Sequence, residues 1–198
     1  MTQSSETKAR DGRGKRRDPS IDQAVIRSTQ RNLATHGYHR MSVDNIAAEA
    51  GTTKATVYKR WSSKADLATA AVYAMIEQEP PPDTGTTFGD LIEYLNILRA
   101  RVEENYGMGI FGALLAEESH TPELIRLFRE RILQPRRLLM RTVLERAAAK
   151  GELKEDVDLD DAVGMLVGSY YGDYIGGLEL PKDWAERTVR VLWSGIGR

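Results

Sequence analysis

The sequence contains no cysteine, which excludes disulfides, thiolate metal sites and a cysteine nucleophile. No stretch approaches the roughly 18 consecutive apolar residues of a membrane-spanning helix, and the N-terminus is polar and basic without an apolar export segment. A cytoplasmic protein with no membrane partner is expected. Histidine is scarce: His36, His39 and His120 do not form metal-ligand spacing with any carboxylate pair, so no metal is expected. There is no Gly-x-Ser-x-Gly. The segment GMGIFG, residues 107–112, fits Gly-x-Gly-x-x-Gly but follows no strand and sits in no βαβ unit, so it reads as a helix start or interhelix turn. Neither an enzyme nor a cofactor is expected.

What is present fits a globular chain of 198 residues, 41% hydrophobic and 29% charged, with enough apolar mass for a core. The net charge of −1 hides an asymmetry. Residues 1–64 carry 13 basic and 6 acidic side chains, and residues 65–198 carry 15 and 23, so an anionic partner is expected for the first part. A basic tail accounts for more than half of that excess: residues 1–17 hold almost nothing apolar and are expected to be disordered.

Regular patterning starts at Asp18-Pro19, a capping residue followed by a proline suited to the first helical position. A narrow stripe of Ile21, Ala24, Val25, Ser28 and Leu33 then predicts a helix stopped by Gly37. Ser42 is placed to cap a second helix, with Asp44 in its first turn and Val43, Ile46, Ala47 and Ala50 on one face. Gly51 closes it, and Thr53 can cap the next. A short helix, a tight glycine turn and another short helix within residues 42–61 is the layout of a helix-turn-helix. Ser63 and Asp66 open a connecting helix expected over 63–78, and EPPPDTG marks a break at 79–86. Later helices are expected from near Thr87, Phe111, Thr121, Asp158 and Asp183, with Pro135 kinking or dividing the one that begins at Thr121. No useful alternating segment occurs, so the fold class is all-α. The expected organisation is a disordered tail (1–17), a first helical domain that holds the helix-turn-helix (18–64) and a larger helical domain (65–198).

Residues 52–61, TTKATVYKRW, suit a helix lying in the major groove. Thr52, Thr53, Lys54 and Thr56 sit near its start with side chains able to reach base edges, while Tyr58 and Lys59 leave on a flank suited to phosphates. Val57 and Trp61, four apart, face the core. Lys64 and the Ser42 hydroxyl are further phosphate candidates. The alternatives are a merely solvated basic helix, or an interaction module whose basic face binds an acidic partner rather than specific DNA.

The stretch SVDNIAAEAGTTKATVYKRWSSKADL resembles the DNA-binding module of the tetracycline-repressor-like (TetR) family of bacterial transcription factors, over about residues 20–70. The resemblance implies base contacts from Thr52, Lys54, Ala55 and Thr56, and phosphate contacts from Ser42, Tyr58, Lys59 and Lys64. Ala55 stands where many members have glycine, and Lys59-Arg60-Trp61 replaces a commoner His/Lys-Tyr/His-Phe. Arg13, Lys15, Arg16 and Arg17 either add phosphate or minor-groove contacts, as in some relatives, or only solubilise. The resemblance also implies a homodimer, a palindromic operator in double-stranded DNA, and repression relieved by a small-molecule ligand.

Gly164, Gly168, Gly172 and Gly176 recur at i+4, and each costs about 1 kcal/mol against alanine inside a helix. Close packing against a second subunit is the expected offset, an intramolecular crossing or room for a ligand the alternatives. With Tyr171, Ile175, Trp184, Val191 and Leu192 they form the expected dimer face. Candidates to line a ligand cavity are Tyr94, Leu98, Tyr106, Met108, Phe111, Leu114, Phe128, Met140 and Met165, with Arg101, His120 or Arg137 as orienting groups.

Overall fold

The protein is described from a computed structural model that covers residues 18–75, 80–104 and 107–198. The basic tail, residues 76–78 of the expected connecting helix, Glu79 at the start of the expected break, and Tyr106 lie outside the described residues. Among those described there is no strand, only one isolated antiparallel bridge between Leu153 and Gly197.

Local chemistry sets the N-terminal helices. Helix α1 (Pro19–Arg40) starts where the Asp18 carboxylate accepts the Ser20 N–H, and is broken at Gly37, whose φ of 69° leaves the helical region before a last turn. Helix α2 (Val43–Glu49) is capped by the Ser42 hydroxyl, which accepts from the Asn45 N–H. It ends in a Schellman turn: the Thr52 N–H donates to the Ala47 carbonyl and Gly51 N–H to that of Ala48, with Gly51 at φ 65°. Thr53 then caps α3 (Lys54–Tyr58), and Ser63 caps α4 (Lys64–Tyr73). Each cap satisfies an amide that the first turn leaves without a helical partner.

Beyond the proline-rich break come α5 (Thr87–Glu104), α6 (Gly107–Leu115) and α7 (Pro122–Phe128). The helix expected near Phe111 begins four residues earlier, so GMGIFG is helical rather than a turn. A π segment (Arg129–Leu133) joins α7 to α8 (Gln134–Ala149) without interruption. Pro135 explains it: proline has no N–H to donate and its ring crowds the preceding turn. The wider turn, in which the Gln134 N–H donates to the Arg129 carbonyl five residues back, absorbs that misfit. Helices α9 (Leu159–Ile175) and α10 (Trp184–Ile196) complete the chain.

Two apolar cores result. One holds Val25, Ile46, Val57, Trp61 and Leu67 together with Ile110, Leu114, Leu124 and Phe128, so α6 and α7 pack onto the N-terminal helices. The other holds Leu91, Leu95, Met140, Leu144, Val163, Leu166, Tyr170 and Trp184 from α5, α8, α9 and α10. Buried polar groups are answered locally: the Thr29 and Thr69 hydroxyls donate to the carbonyls of Val25 and Ala65, one turn back. No helix among the described residues is long and apolar enough to cross a membrane.

Candidate nucleic-acid interface and ligand cavity

Helix α3 turns opposite faces to core and solvent. Val57 is 1% exposed and Trp61 is buried, whereas Thr53, Lys54, Ala55, Tyr58 and Lys59 are exposed and Thr52 and Thr56 half-buried. The exposed side chains are already organised. Thr53 Oγ1 accepts the Thr56 N–H at 3.2 Å and lies 2.9 Å from the Thr56 hydroxyl. Lys54 Nζ donates to the Asp44 carboxylate at 2.8 Å, a contact that raises the ammonium's pKa. Lys64 is held inward: its Nζ donates to the His39 carbonyl at 3.0 Å and stands 4.6 Å over the Tyr38 ring. Burial lowers its pKa and pushes the Tyr38 phenol up to about 12. Lys64 thus braces the module first, and reaches a phosphate only by leaving those contacts.

Arg60, which departs from the commoner family residue, points away from this face. Its guanidinium pairs with Asp22 of α1 at 2.7 Å, both side chains mostly buried. Helix α2 is held to α1 by Glu49, whose carboxylate accepts from the Ser28 hydroxyl at 2.6 Å and from Arg31 at 3.1 Å. Those two contacts hold the Glu49 carboxyl below its usual pKa.

The Lys54–Asp44 pair makes a prediction. In complex with a duplex, Asp44 would repel phosphates while neutralising a cation that could bind them. Asp44→Asn should raise duplex affinity roughly fivefold at low salt and steepen the dependence of log K on log[salt] by about 1, with a small loss of α2 stability. Fluorescence anisotropy across a salt series reads both; unchanged affinity would remove Lys54 from the contact surface.

A cavity of about 320 Å³ lies between α4, α5, α6, the π segment, α8 and α9. Of the candidates, Tyr94, Leu98, Arg101, Met108, Phe111, Leu114, Phe128 and Arg137 line it. Three others do not. Met140 is fully buried in the second core, Met165 is 64% exposed on the outer side of α9, and His120 lies in an exposed turn beside Ser119. Three residues expected on the dimer face line the cavity instead: Gly164, Gly168 and Tyr171. Trp184 is also not on an outer face; it is buried, and its indole N–H donates to Asp173 at 3.0 Å. Leu192 is half-buried against the second core, whereas Ile175 and Val191 are 80% and 74% exposed. No described side chain or backbone comes within 4 Å of a Cβ built on Gly168 or Gly172, so an intramolecular crossing does not account for these glycines.

Sequence reasoning missed Val72 of α4 and Met75 just beyond it, Ile132 and Leu133 of the π segment, and Arg136. A usable signal existed for Arg136. Ile132, Arg136 and Met140 are spaced four apart, which places Arg136 on an otherwise apolar stripe. The cavity also adjoins the contacts between α4 and the later helices. Arg131 donates to Asp66 at 2.6 Å, and the Ser63 hydroxyl to Glu123 at 3.1 Å. Burial would raise the Asp66 pKa, but the hydrogen bonds from Arg131 and Ser62 more than offset it and the net direction is down. Among the described residues, no group of three His, Asp or Glu is placed to hold a metal.

Residues 25–71 match the family described as bacterial regulatory proteins, tetR family, and residues 81–192 match the tetracyclin repressor-like C-terminal domain. The chain is 30% identical over 194 residues to the uncharacterized HTH-type transcriptional regulator YdeS of Bacillus subtilis (strain 168), covering 93% of each. It is 33% identical over 128 residues to the DNA-binding transcriptional repressor TetR of Mycobacteroides abscessus, covering 64% of this chain and 67% of the other. The crystal structure of the TetR family transcription regulator SCO0332 superposes with a TM-score of 0.68 at 25% identity, over 90% of this chain and all of that one. The chain belongs to the TetR family and is a helix-turn-helix, DNA-binding transcriptional regulator.

Proposed function

We propose that the protein acts as a homodimeric repressor that reads a palindromic operator and is released from it by a small molecule bound in the cavity. The observation that carries the reading is the two-sided α3, with Val57 and Trp61 fixed in the core while Thr53, Lys54, Ala55, Tyr58 and Lys59 face outward. One such helix reads only a few base pairs. Two related by a twofold axis read half-sites about one turn, or 34 Å, apart. The second subunit fits the outer side of α9 and α10, where Met165, Ile175, Leu178 and Val191 are exposed. The domain organisation proposed is the one expected from the sequence, with α4 as the connection.

Release is a matter of relative affinity. A ligand displaces the protein only if it binds more tightly to the conformation whose recognition helices are misplaced for successive grooves. Val72 puts α4 in the cavity wall, and α4 follows α3 after a five-residue stretch, so occupancy and helix position are mechanically linked. The proposed action is binding alone, without covalent chemistry.

Two variants test the division of labour on α3. Thr56→Ala should change the preferred base at one position of each half-site, while Tyr58→Ala should weaken all duplexes evenly. Two to four phosphate-bound cations per subunit imply a slope of log K against log[salt] of about −4 to −7 for the dimer. Proportional losses for every sequence in both variants would contradict the assignment.

A further inference from the structure

The cavity wall is chemically one-sided. Of the twenty described residues that line it, three are arginines and none is acidic. Arg137 is exposed and donates to the Asp160 carbonyl at 3.1 Å. Arg136 differs: it is half-buried and pairs with no carboxylate among the described residues. Its backbone carbonyl accepts the Tyr94 hydroxyl at 2.7 Å, and its charge acts on both the Tyr94 and Tyr171 phenols. Burial raises both phenols, and the Arg136 charge counters that rise in each. A cation at the edge of an apolar cavity, without a counter-charge, lowers its energy most by taking one from a ligand.

The remaining wall favours a flat body over a flexible one. Phe111 and Tyr171 stack with centroids 4.9 Å apart and planes 16° from parallel, and Phe128 packs against Phe111 at 5.8 Å. Gly164 and Gly168 line the cavity from α9 together with Val167 and Tyr171, so two positions of that wall carry no side chain. The volume is at the small end of those that accept organic ligands, about 300–1,000 Å³.

We propose that the cavity binds a planar aromatic carboxylate, its anionic group on Arg136 and its ring packed along Phe111 and Tyr171. This rests on the reading of the cavity as the effector site, and deepens it by naming the ligand's chemistry.

The test uses the full-length protein and three probes in titration calorimetry at pH 7.5: 2-naphthoate, the isosteric neutral 2-naphthamide, and decanoate. 2-Naphthoate should bind at least tenfold more tightly than either of the others. Arg136→Gln should bring 2-naphthoate to the affinity of the amide while leaving the amide unchanged, with operator binding in the absence of probe showing that the variant is folded. Equal or tighter binding of the amide, a preference that survives Arg136→Gln, or no binding of 2-naphthoate overturns the proposal. Tighter binding of decanoate overturns its aromatic part. Operator anisotropy with each probe separates this from the underlying reading. If 2-naphthoate binds as described but leaves operator affinity unchanged, the ligand class stands and the effector role fails. If the amide binds as well and releases the operator, the effector role stands and the anionic class is wrong.

Discussion

Replacing Met165 and Val191 together by glutamate is expected to convert the protein to a monomer and to weaken operator binding at least 100-fold. Both side chains flank the groove between α9 and α10, at 64% and 74% exposure, with Leu178 at 61% beside them. Such an apolar patch on a soluble protein usually marks an interface. A twofold interface presents each residue twice, so the double variant places four carboxylates in a surface that must bury about 800 Å² on each partner. Losing the apolar contacts and burying unpaired charge act in the same direction, and together exceed the few kcal/mol that separate a stable dimer from monomers. Operator affinity follows because each half-site is held weakly alone, and linkage of two supplies the rest. Sedimentation velocity and anisotropy on one preparation read both consequences. A variant that stays dimeric would move the interface elsewhere.

Filling the cavity should separate the protein's two binding functions. Gly168→Leu adds a side chain where, apart from the flanking residues and the helix's own backbone, no described atom lies within 4 Å of the new Cβ, on the cavity side of α9. Exchanging glycine for leucine inside a helix gains about 0.7 kcal/mol, and burying the side chain adds up to about 1.5–3 kcal/mol. For a chain of this size a net gain of about 2 kcal/mol raises Tm by roughly 4–8 °C. The same side chain takes up part of the cavity that Phe111 and Tyr171 also line, so affinity for any ligand seated there should fall more than 100-fold. Operator affinity without ligand should not change, since the leucine fills space already open in this conformation and gives no preference for another. Thermal unfolding, calorimetry and anisotropy give the three readings; retained ligand binding with a raised Tm would place the ligand outside this cavity.

The α2–Gly51–α3 unit was readable because its determinants are local. A capping hydroxyl, an acidic first turn, a glycine at positive φ and a second capping hydroxyl act within a few residues of one another. The inward direction of Val57 and Trp61 follows from helical period alone. The glycines of α9 show where that logic stops. Spacing of four advances about 40° per step around a helix with 3.6 residues per turn, so Gly164 and Gly168 turn toward the cavity and Gly172 and Gly176 drift away from it. A regular spacing suggested one face, and only its first half lines the cavity. Arg136 and Arg137 present the same difficulty at closer range: adjacent residues point about 100° apart, yet both line the cavity, and only packing leaves Arg136 half-buried and Arg137 exposed. Apolar type likewise could not separate Met140 in the core, Met165 on the surface and Met108 in the cavity wall. Pro135 predicted a disturbance, but a π turn rather than a break depends on the π segment and α8 both packing against neighbouring helices.

The most direct test of the account is selection from a randomised duplex library by the purified protein at near-physiological salt, followed by sequencing. The account predicts enrichment of a palindrome with half-sites about one helical turn apart. Recovery of DNA with no enriched sequence would contradict it, leaving an electrostatic binder and withdrawing the base contacts from Thr52, Thr53, Lys54, Ala55 and Thr56.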